Sequence, residues 1–102
     1  MKTIVMTAAA ALILGVSGIA SADQALAQKN ACMSCHGVDK KIVGPAFKEI
    51  ATRYKGDKTA AAKLAKEVKE GSKGNWGQIP MPPNPQVKDE DLTKIIAWVL
   101  AQ

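Results

Sequence analysis

Apolar residues recur every three or four positions in three stretches of the chain, and this spacing predicts amphipathic helices. The stretches begin at Pro45, at Asp57 or Thr59, and at Lys88 or Asp89, and the first two end at Gly56 and Gly71. Their apolar faces consist of Ala46, Phe47, Ile50, Ala51 and Tyr54, then Ala60, Ala61, Leu64, Ala65 and Val68, then Leu92, Ile95, Ile96, Val99 and Leu100. Each helix can therefore bury one face and expose the other.

The chain from residue 23 to residue 85 adds one more helix and one long loop. Asp23 to Ala31 is rich in Ala, Gln and Leu, so we expect a helix that carries Cys32 near its end and stops at Gly37. Residues 71–85 hold three glycines and four prolines, too many for a regular element. No stretch alternates polar and apolar residues over the length of a strand. The sequence therefore predicts an all-α fold of about four helices.

Residues 1–22 have the composition of a secretory signal peptide. Lys2 supplies a positive charge, Ile4 to Val16 is almost wholly apolar, and residues 20–22 form an A-x-A cleavage site. Cleavage there would start the mature chain at Asp23 and lower the net charge from +5 to +4. An uncleaved membrane anchor is the alternative, although the apolar stretch is short for one, contains Gly15 and is followed closely by Gly18. We expect export to the periplasm and one domain over residues 23–102.

The five residues Cys32, Met33, Ser34, Cys35 and His36 form the pattern C-x-x-C-H, which is typical of covalent haem attachment. Two thiols separated by two residues can reach the two vinyl groups on one edge of a haem. The adjacent imidazole can then turn under the ring to bind the iron. The pattern predicts Cys32 and Cys35 as thioether tethers of one haem c and His36 as an axial ligand.

Three other kinds of site share part of this pattern. A thioredoxin-like dithiol belongs near a βαβ pattern, which this chain lacks. A structural zinc site usually needs four ligands, and the chain has only two cysteines and one histidine. A structural disulfide would not require the histidine. A haem also suits the length of the chain, because a mature domain this small is near the lower limit for a self-sufficient core.

Met81 is the leading candidate for the second axial ligand. His36 is the only histidine, and of the four methionines two lie in the signal segment and Met33 is held between the cysteines. Prolines around Met81 fix several backbone φ angles, which suits a loop that presents a thioether to a metal. Core packing is the commoner role of methionine, and lysine or water are weaker ligand candidates. A His–Met pair fills the coordination shell and favours electron transfer over catalysis.

The chain resembles the small monohaem class I cytochromes c of the bacterial periplasm, which include the electron donors to haem-cd nitrite reductase. The resemblance covers nearly all of residues 23–102. It is carried by C-M-S-C-H at 32–36, V-G-P-A-F at 43–47 and G-S-K-G-N-W-G-Q-I-P-M-P-P-N at 71–84. It implies a compact fold of about four helices around one covalently attached haem.

The resemblance also implies roles for residues around the haem. The Pro45 carbonyl would accept the second ring N–H of His36, the Trp76 indole would donate to a haem propionate, and Asn84 would hydrogen-bond near the methionine sulfur. The alternative roles are the first position of a helix for Pro45, core packing for Trp76 and turn formation for Asn84. The chain departs from the pattern at two positions. Glu67 stands where some relatives have a propionate-binding arginine, so Lys63 or Lys66 would have to relieve the repulsion, and Ala27 replaces an aromatic expected against Trp98.

We therefore expect a monomeric periplasmic electron carrier that is not an enzyme. Its partners would be periplasmic or membrane redox proteins such as a cytochrome bc complex, a nitrite reductase or a terminal oxidase, as the resemblance implies. The lysine-rich surface can steer encounter with an acidic partner but names none, and there is no nucleic-acid motif. The alternatives are a haem enzyme or gas sensor with a labile sixth ligand, and a dithiol redox protein.

Overall fold

Four α-helical segments and one short 3-10 turn form the regular structure of residues 23–102, the part of the chain that the computed structural model describes. Helix α1 covers residues 23–29, the 3-10 turn covers Cys32–Ser34, α2 covers Phe47–Arg53, α3 covers Ala60–Glu70 and α4 covers Asp89–Leu100. Strand pairing within this range is limited to two isolated bridges, His36 with Lys41 and Ser72 with Met81. The all-α prediction is confirmed. The predicted signal segment, residues 1–22, lies outside the described residues.

The chain turns sharply between α1 and the C-x-x-C-H motif, which differs from the expectation that the first helix carries Cys32. Ala31 has φ 62° and ψ 17°, in the left-handed region, where a right-handed helix cannot continue. The backbone N–H and the side-chain amide of Asn30 both donate to the Leu26 carbonyl and close the last turn of α1. Cys32 therefore begins a separate 3-10 turn with its own direction.

Helix α4 is the centre of the core, because α2 and α3 both pack against it. Phe47 of α2 meets Trp98 of α4 edge to face, with ring centroids 5.2 Å apart and an interplanar angle of 74°. Ala27 is fully buried in the same cluster, and Trp98 is a core residue as predicted. The other buried members are Ile50, Leu64, Val87, Leu92, Ile95, Ile96 and Val99. Among the described residues, no helix is long and apolar enough to cross a membrane.

The carboxylate of Asp57 organises the start of α3. The Thr59 N–H donates to Asp57 Oδ1 at 2.8 Å, the Thr59 hydroxyl donates to the same oxygen at 2.6 Å, and Lys63 Nζ lies 3.1 Å from Oδ2. The hydrogen bond from the Thr59 hydroxyl, then that from its backbone N–H, then Lys63, lower the pKa of Asp57 from 3.8 to about 2. This cluster replaces the missing side-chain cap at the N-terminus of α3.

Asp57 gives the fold a specific acid dependence. Its pKa is lower in the folded chain, so its stabilisation is complete above about pH 4 and is lost as the pH falls toward about 2. We expect Asp57→Asn to lower the melting temperature of the holoprotein above pH 4, and by progressively less as the pH falls to 2. Glu70→Gln is the control, because its carboxylate makes only an exposed pair with Lys66 at 4.0 Å. Melting curves in which Asp57→Asn and wild type stay parallel at every pH would contradict this role.

Candidate haem site

A cavity of about 280 Å³ brings together the residues that the sequence assigned to the haem. Its lining includes all seven of them: Cys32, Cys35, His36, Pro45, Trp76, Met81 and Asn84. These residues come from the 3-10 turn, the segment before α2 and the loop 71–85. The rest of the lining is largely apolar and is contributed by α2, α3 and α4, including Phe47, Ile50, Leu64, Val68, Ile95, Ile96 and Val99. The cavity wall is therefore mainly apolar, with polar side chains at a few positions.

The imidazole of His36 is held in one orientation by three neighbours. Nδ1 lies 2.7 Å from the carbonyl oxygen of Pro45, and the ring stacks on Phe47 with centroids 5.1 Å apart. A Cβ atom on Gly44 would lie 2.6 Å from His36 Cε1, so only glycine allows this close approach of the backbone. With Nδ1 protonated to donate to Pro45, Nε2 keeps the lone pair that a metal ligand needs.

Cys32 and Cys35 lie on the cavity wall, are both half-buried and form no disulfide with each other. The motif is fixed to the following segment, because the N–H groups of Val43 and Gly44 donate to the Cys35 carbonyl at 3.1 and 2.8 Å. Burial raises the pKa of the Cys32 thiol. Burial thus disfavours the thiolate form of Cys32, which is the form that a nucleophilic cysteine needs. Within residues 23–102, no three His, Cys, Asp or Glu side chains converge as a bare metal site would require.

Met81 is held at the cavity by a backbone bridge at the base of its loop. The Met81 N–H donates to the Ser72 carbonyl at 2.9 Å, and the Ser72 N–H donates to the Met81 carbonyl at 3.1 Å. Gly71, next to this bridge, has φ +83°, and a Cβ there would lie 2.8 Å from the Met81 oxygen. The Asn84 N–H donates to the Val68 carbonyl at 2.8 Å and ties the end of the loop to α3. These backbone hydrogen bonds fix the position of Met81 at the cavity.

The side chains of Asn84 and Glu67 have partners that the sequence did not predict. The Asn84 amide donates to the Pro82 carbonyl at 2.9 Å, so in this structure it supports the loop itself. Glu67 Oε1 accepts from Asn75 Nδ2 at 2.7 Å. In this structure Lys63 pairs with Asp57 and Lys66 lies 4.0 Å from Glu70, so neither lysine contacts Glu67.

Arg53 is the neighbour of the site that sequence reasoning missed. Its guanidinium carbon lies 3.5 Å from the centroid of the Trp76 ring, and Nη1 donates to the Asn75 carbonyl at 2.6 Å. Arg53 is exposed and polar, so helical periodicity marks it only as a surface residue. The one available signal was composition, because it is the only arginine among 14 basic residues.

Comparison with known proteins gives one consistent family. The sequence profile described as "Cytochrome c" matches residues 21–102. Cytochrome c-552 of Nitrosomonas europaea is 50% identical over 100 residues, which are 98% of this chain and 97% of that protein. Cytochrome c-551 of Allochromatium vinosum is 47% identical over 85 residues, which are 83% of this chain and 90% of that protein. Cytochrome c-551 of Pseudomonas aeruginosa is 44% identical over 79 residues, which are 78% and 75% of the two chains.

Comparison with solved structures indicates the same family. The crystal structure of wild-type Nitrosomonas europaea cytochrome c552 superposes with a TM-score of 0.74 at 50% identity and covers 76% of this chain and 96% of that chain. The residues of the cavity fit a haem, because they offer two thiols, an imidazole with a free Nε2, a thioether and an apolar lining. The chain therefore belongs to the cytochrome c family, whose members are electron-transfer proteins that carry a covalently attached haem c.

Proposed function

We propose that this chain carries single electrons in the periplasm through a haem c that is attached to Cys32 and Cys35 and ligated by His36 and Met81. The proposal rests on one observation. The two thiols, the oriented imidazole of His36 and the bridged Met81 all line the same apolar cavity. A haem enzyme or gas sensor needs an iron coordination site that a small molecule can enter. In the proposed arrangement the Met81 thioether would occupy that site.

The residues of the cavity would prepare this site for electron transfer rather than for catalysis. The haem, when bound, supplies a couple that takes up and releases one electron. The Pro45 carbonyl keeps His36 in the tautomer that leaves Nε2 free, and the thioether of Met81 is a soft ligand that favours the reduced metal. The apolar side chains exclude water. Because the two ligands are held by the backbone, little rearrangement is needed when the charge changes.

Spectroelectrochemistry of the purified holoprotein tests this proposal. We expect a reversible one-electron titration, a six-coordinate spectrum in both states, and negligible binding of carbon monoxide to the ferrous protein. Rapid binding of carbon monoxide would instead support the enzyme or sensor alternative. Free thiols without a haem spectrum would support the dithiol alternative.

Export of the chain is part of the same proposal. It is supported by the charge of Lys2, the apolar stretch and the A-x-A site at residues 20–22, and the family profile begins at residue 21. We expect the intact mass of the periplasmic holoprotein to correspond to a chain that begins at Asp23. A haem protein recovered from membranes with residues 1–22 still attached would overturn this part of the proposal.

The mouth of the cavity carries exposed apolar side chains that suit a transient redox contact. Val43 and Ile79 line the cavity and are 45% and 66% exposed. Exposed apolar residues gathered beside a cofactor cavity indicate a contact surface, and redox complexes use small ones. We propose that respiratory redox proteins, such as a cytochrome bc complex, a nitrite reductase or a terminal oxidase, approach here.

Ile79 provides a direct test of this surface. We expect Ile79→Ser to slow second-order electron transfer to a haem-cd nitrite reductase roughly tenfold, as loss of a central apolar contact would, while the reduction potential stays the same. Ile42→Ser is the control, because Ile42 is also exposed, at 55%, but does not line the cavity. Equal rates for the two variants would place the contact elsewhere.

Glu67 lines the cavity and should lower the reduction potential of the haem. Its negative charge favours the oxidised, more positive state, so we expect Glu67→Gln to raise the potential by roughly 20–60 mV. A second carboxylate nearby also raises the proton affinity of a haem propionate. Proton uptake favours reduction, so the wild-type potential should fall as the pH rises from 5 to 8.

Voltammetry over this pH range measures both effects of Glu67. Glu67→Gln should give a smaller slope of potential against pH than the wild type. Glu70→Gln is the matched control, because Glu70 is on the same helix and is exposed but does not line the cavity. A wild-type reduction potential that does not change between pH 5 and 8 would contradict this role of Glu67.

A further inference from the structure

We infer that Arg53 is a positioning residue that holds Trp76 at the wall of the haem cavity, an inference that rests on the proposed haem site. Arg53 stands in the last turn of α2, and its guanidinium lies 3.5 Å from the centroid of the Trp76 ring. Its Nη1 donates to the Asn75 carbonyl at 2.6 Å. One side chain thus contacts both the ring of Trp76 and the backbone of the preceding residue.

The contact continues from the loop to α3. Asn75 Nδ2 donates to Glu67 Oε1 at 2.7 Å, so hydrogen bonds connect Arg53 of α2, Asn75 of the loop and Glu67 of α3. Glu67, Asn75 and Trp76 line the cavity, whereas Arg53 lies outside it. Arg53 therefore acts on the cavity through its neighbours, and its charge lies in the same network as the Glu67 carboxylate.

Apart from the partial packing of the half-buried Trp76 side chain against the core, the backbone at the tip of this loop has few contacts. Gly74 and Gly77 have φ +85° and +118°, and a Cβ on either would meet nothing within 4 Å. The Ser72–Met81 bridge closes the base of the loop, but Trp76 lies midway between its two ends. Because core packing holds only part of the indole, the cation–π contact and the hydrogen bond of Arg53 fix its position on the exposed side.

The position of the indole matters because Trp76 lines the cavity in which the cofactor would lie. An indole N–H only donates, so at the cavity wall it suits an acceptor carried by the cofactor, such as a carboxylate. Arg53 would keep this donor in place. Lysine could not replace it fully, because a planar guanidinium stacks on a ring and donates at a fixed angle, whereas an ammonium supplies only charge and mobile donors.

Three variants separate these contributions in the holoprotein. Arg53→Gln removes the charge and the stacking, Arg53→Lys keeps the charge, and Lys48→Gln removes one charge from an exposed position of the same helix. The readouts are the hydrogen-exchange rate of the Trp76 indole N–H in the ferrous protein, by NMR, and the reduction potential. The buried indole of Trp98 reports on global opening in the same spectra.

We expect Trp76 exchange to quicken roughly tenfold in Arg53→Gln and several-fold in Arg53→Lys, with Trp98 exchange unchanged in both. The potential should fall further in Arg53→Gln than in Lys48→Gln and stay near the wild-type value in Arg53→Lys. Equal Trp76 exchange in Arg53→Gln and Lys48→Gln would overturn the inference, as would full protection of Trp76 in Arg53→Lys. Failure of the proposed haem site is a separate result, because it appears in the wild-type spectrum.

Discussion

Replacing both Cys32 and Cys35 with alanine is expected to yield a chain that does not fold cooperatively. The proposed haem fills the cavity, and without it the apolar side chains of three helices face a water-filled space. The helices are 7, 11 and 12 residues long in α2, α3 and α4, too short to be stable by themselves. We expect loss of most of the net stability, which is about 5–15 kcal/mol for a small domain.

Circular dichroism and a haem-specific stain of the exported protein measure this effect. The double variant should show no covalent haem, low helicity and a broad thermal transition. Ser34→Ala is the control, because Ser34 lies exposed in the same 3-10 turn and is not a tether. It should keep both haem and cooperative melting. A sharp, native-like transition of the double variant without haem would refute the view that the haem completes the core.

The second large effect is expected at Gly71, where a single methyl group should displace Met81. A Cβ at this position would lie 2.8 Å from the Met81 carbonyl oxygen and 3.1 Å from the nitrogen of Pro83. The backbone also has φ 83° and ψ 168°, a conformation that is nearly restricted to glycine and costs about 1–3 kcal/mol for other residues. We therefore expect Gly71→Ala to break the Ser72–Met81 bridge and to weaken methionine ligation.

Gly74→Ala distinguishes this contact from backbone strain alone. Gly74 has nearly the same φ, +85°, but a Cβ there would meet no atom within 4 Å. Gly71→Ala should therefore lose the optical signature of methionine ligation and bind carbon monoxide readily, whereas Gly74→Ala should keep the signature. If the two variants lose methionine ligation equally, strain in the loop and not the contact with Met81 is responsible.

The parts of the fold with a strong apolar pattern were predictable from sequence. The faces of α3 and α4 repeat at helical spacing. Helix α3 begins one residue after Thr59 and ends one residue before Gly71, and α4 begins at Asp89, one of its two predicted starts. Helix α2 is shorter than its pattern, because Ala46 is still extended, with φ −63° and ψ 147°, although it is buried. The end of α1 could not be predicted, because an alanine with a positive φ has no sequence signal.

The residues that line the cavity were predictable where chemistry restricts the choice. A chain with one histidine and one available methionine leaves few candidate ligands, and both line the cavity. The polar network around Glu67 was not predictable. Its members are exposed or half-buried residues far apart in sequence, and Arg53 reaches a carbonyl 22 positions later. Such contacts leave no periodic pattern, so they emerge only from the packing of α2, α3 and the loop.

The near-infrared absorption of the ferric protein tests the central claim most directly. Ligation by His36 and Met81 predicts a weak sulfur-to-iron band in the wild type that disappears in Met81→Ala and persists in Met33→Ala. The ferrous Met81→Ala protein should also bind carbon monoxide, whereas the wild type should not. A wild-type ferric protein without this band, or a band that survives in Met81→Ala, would contradict the assignment of a closed His–Met electron carrier.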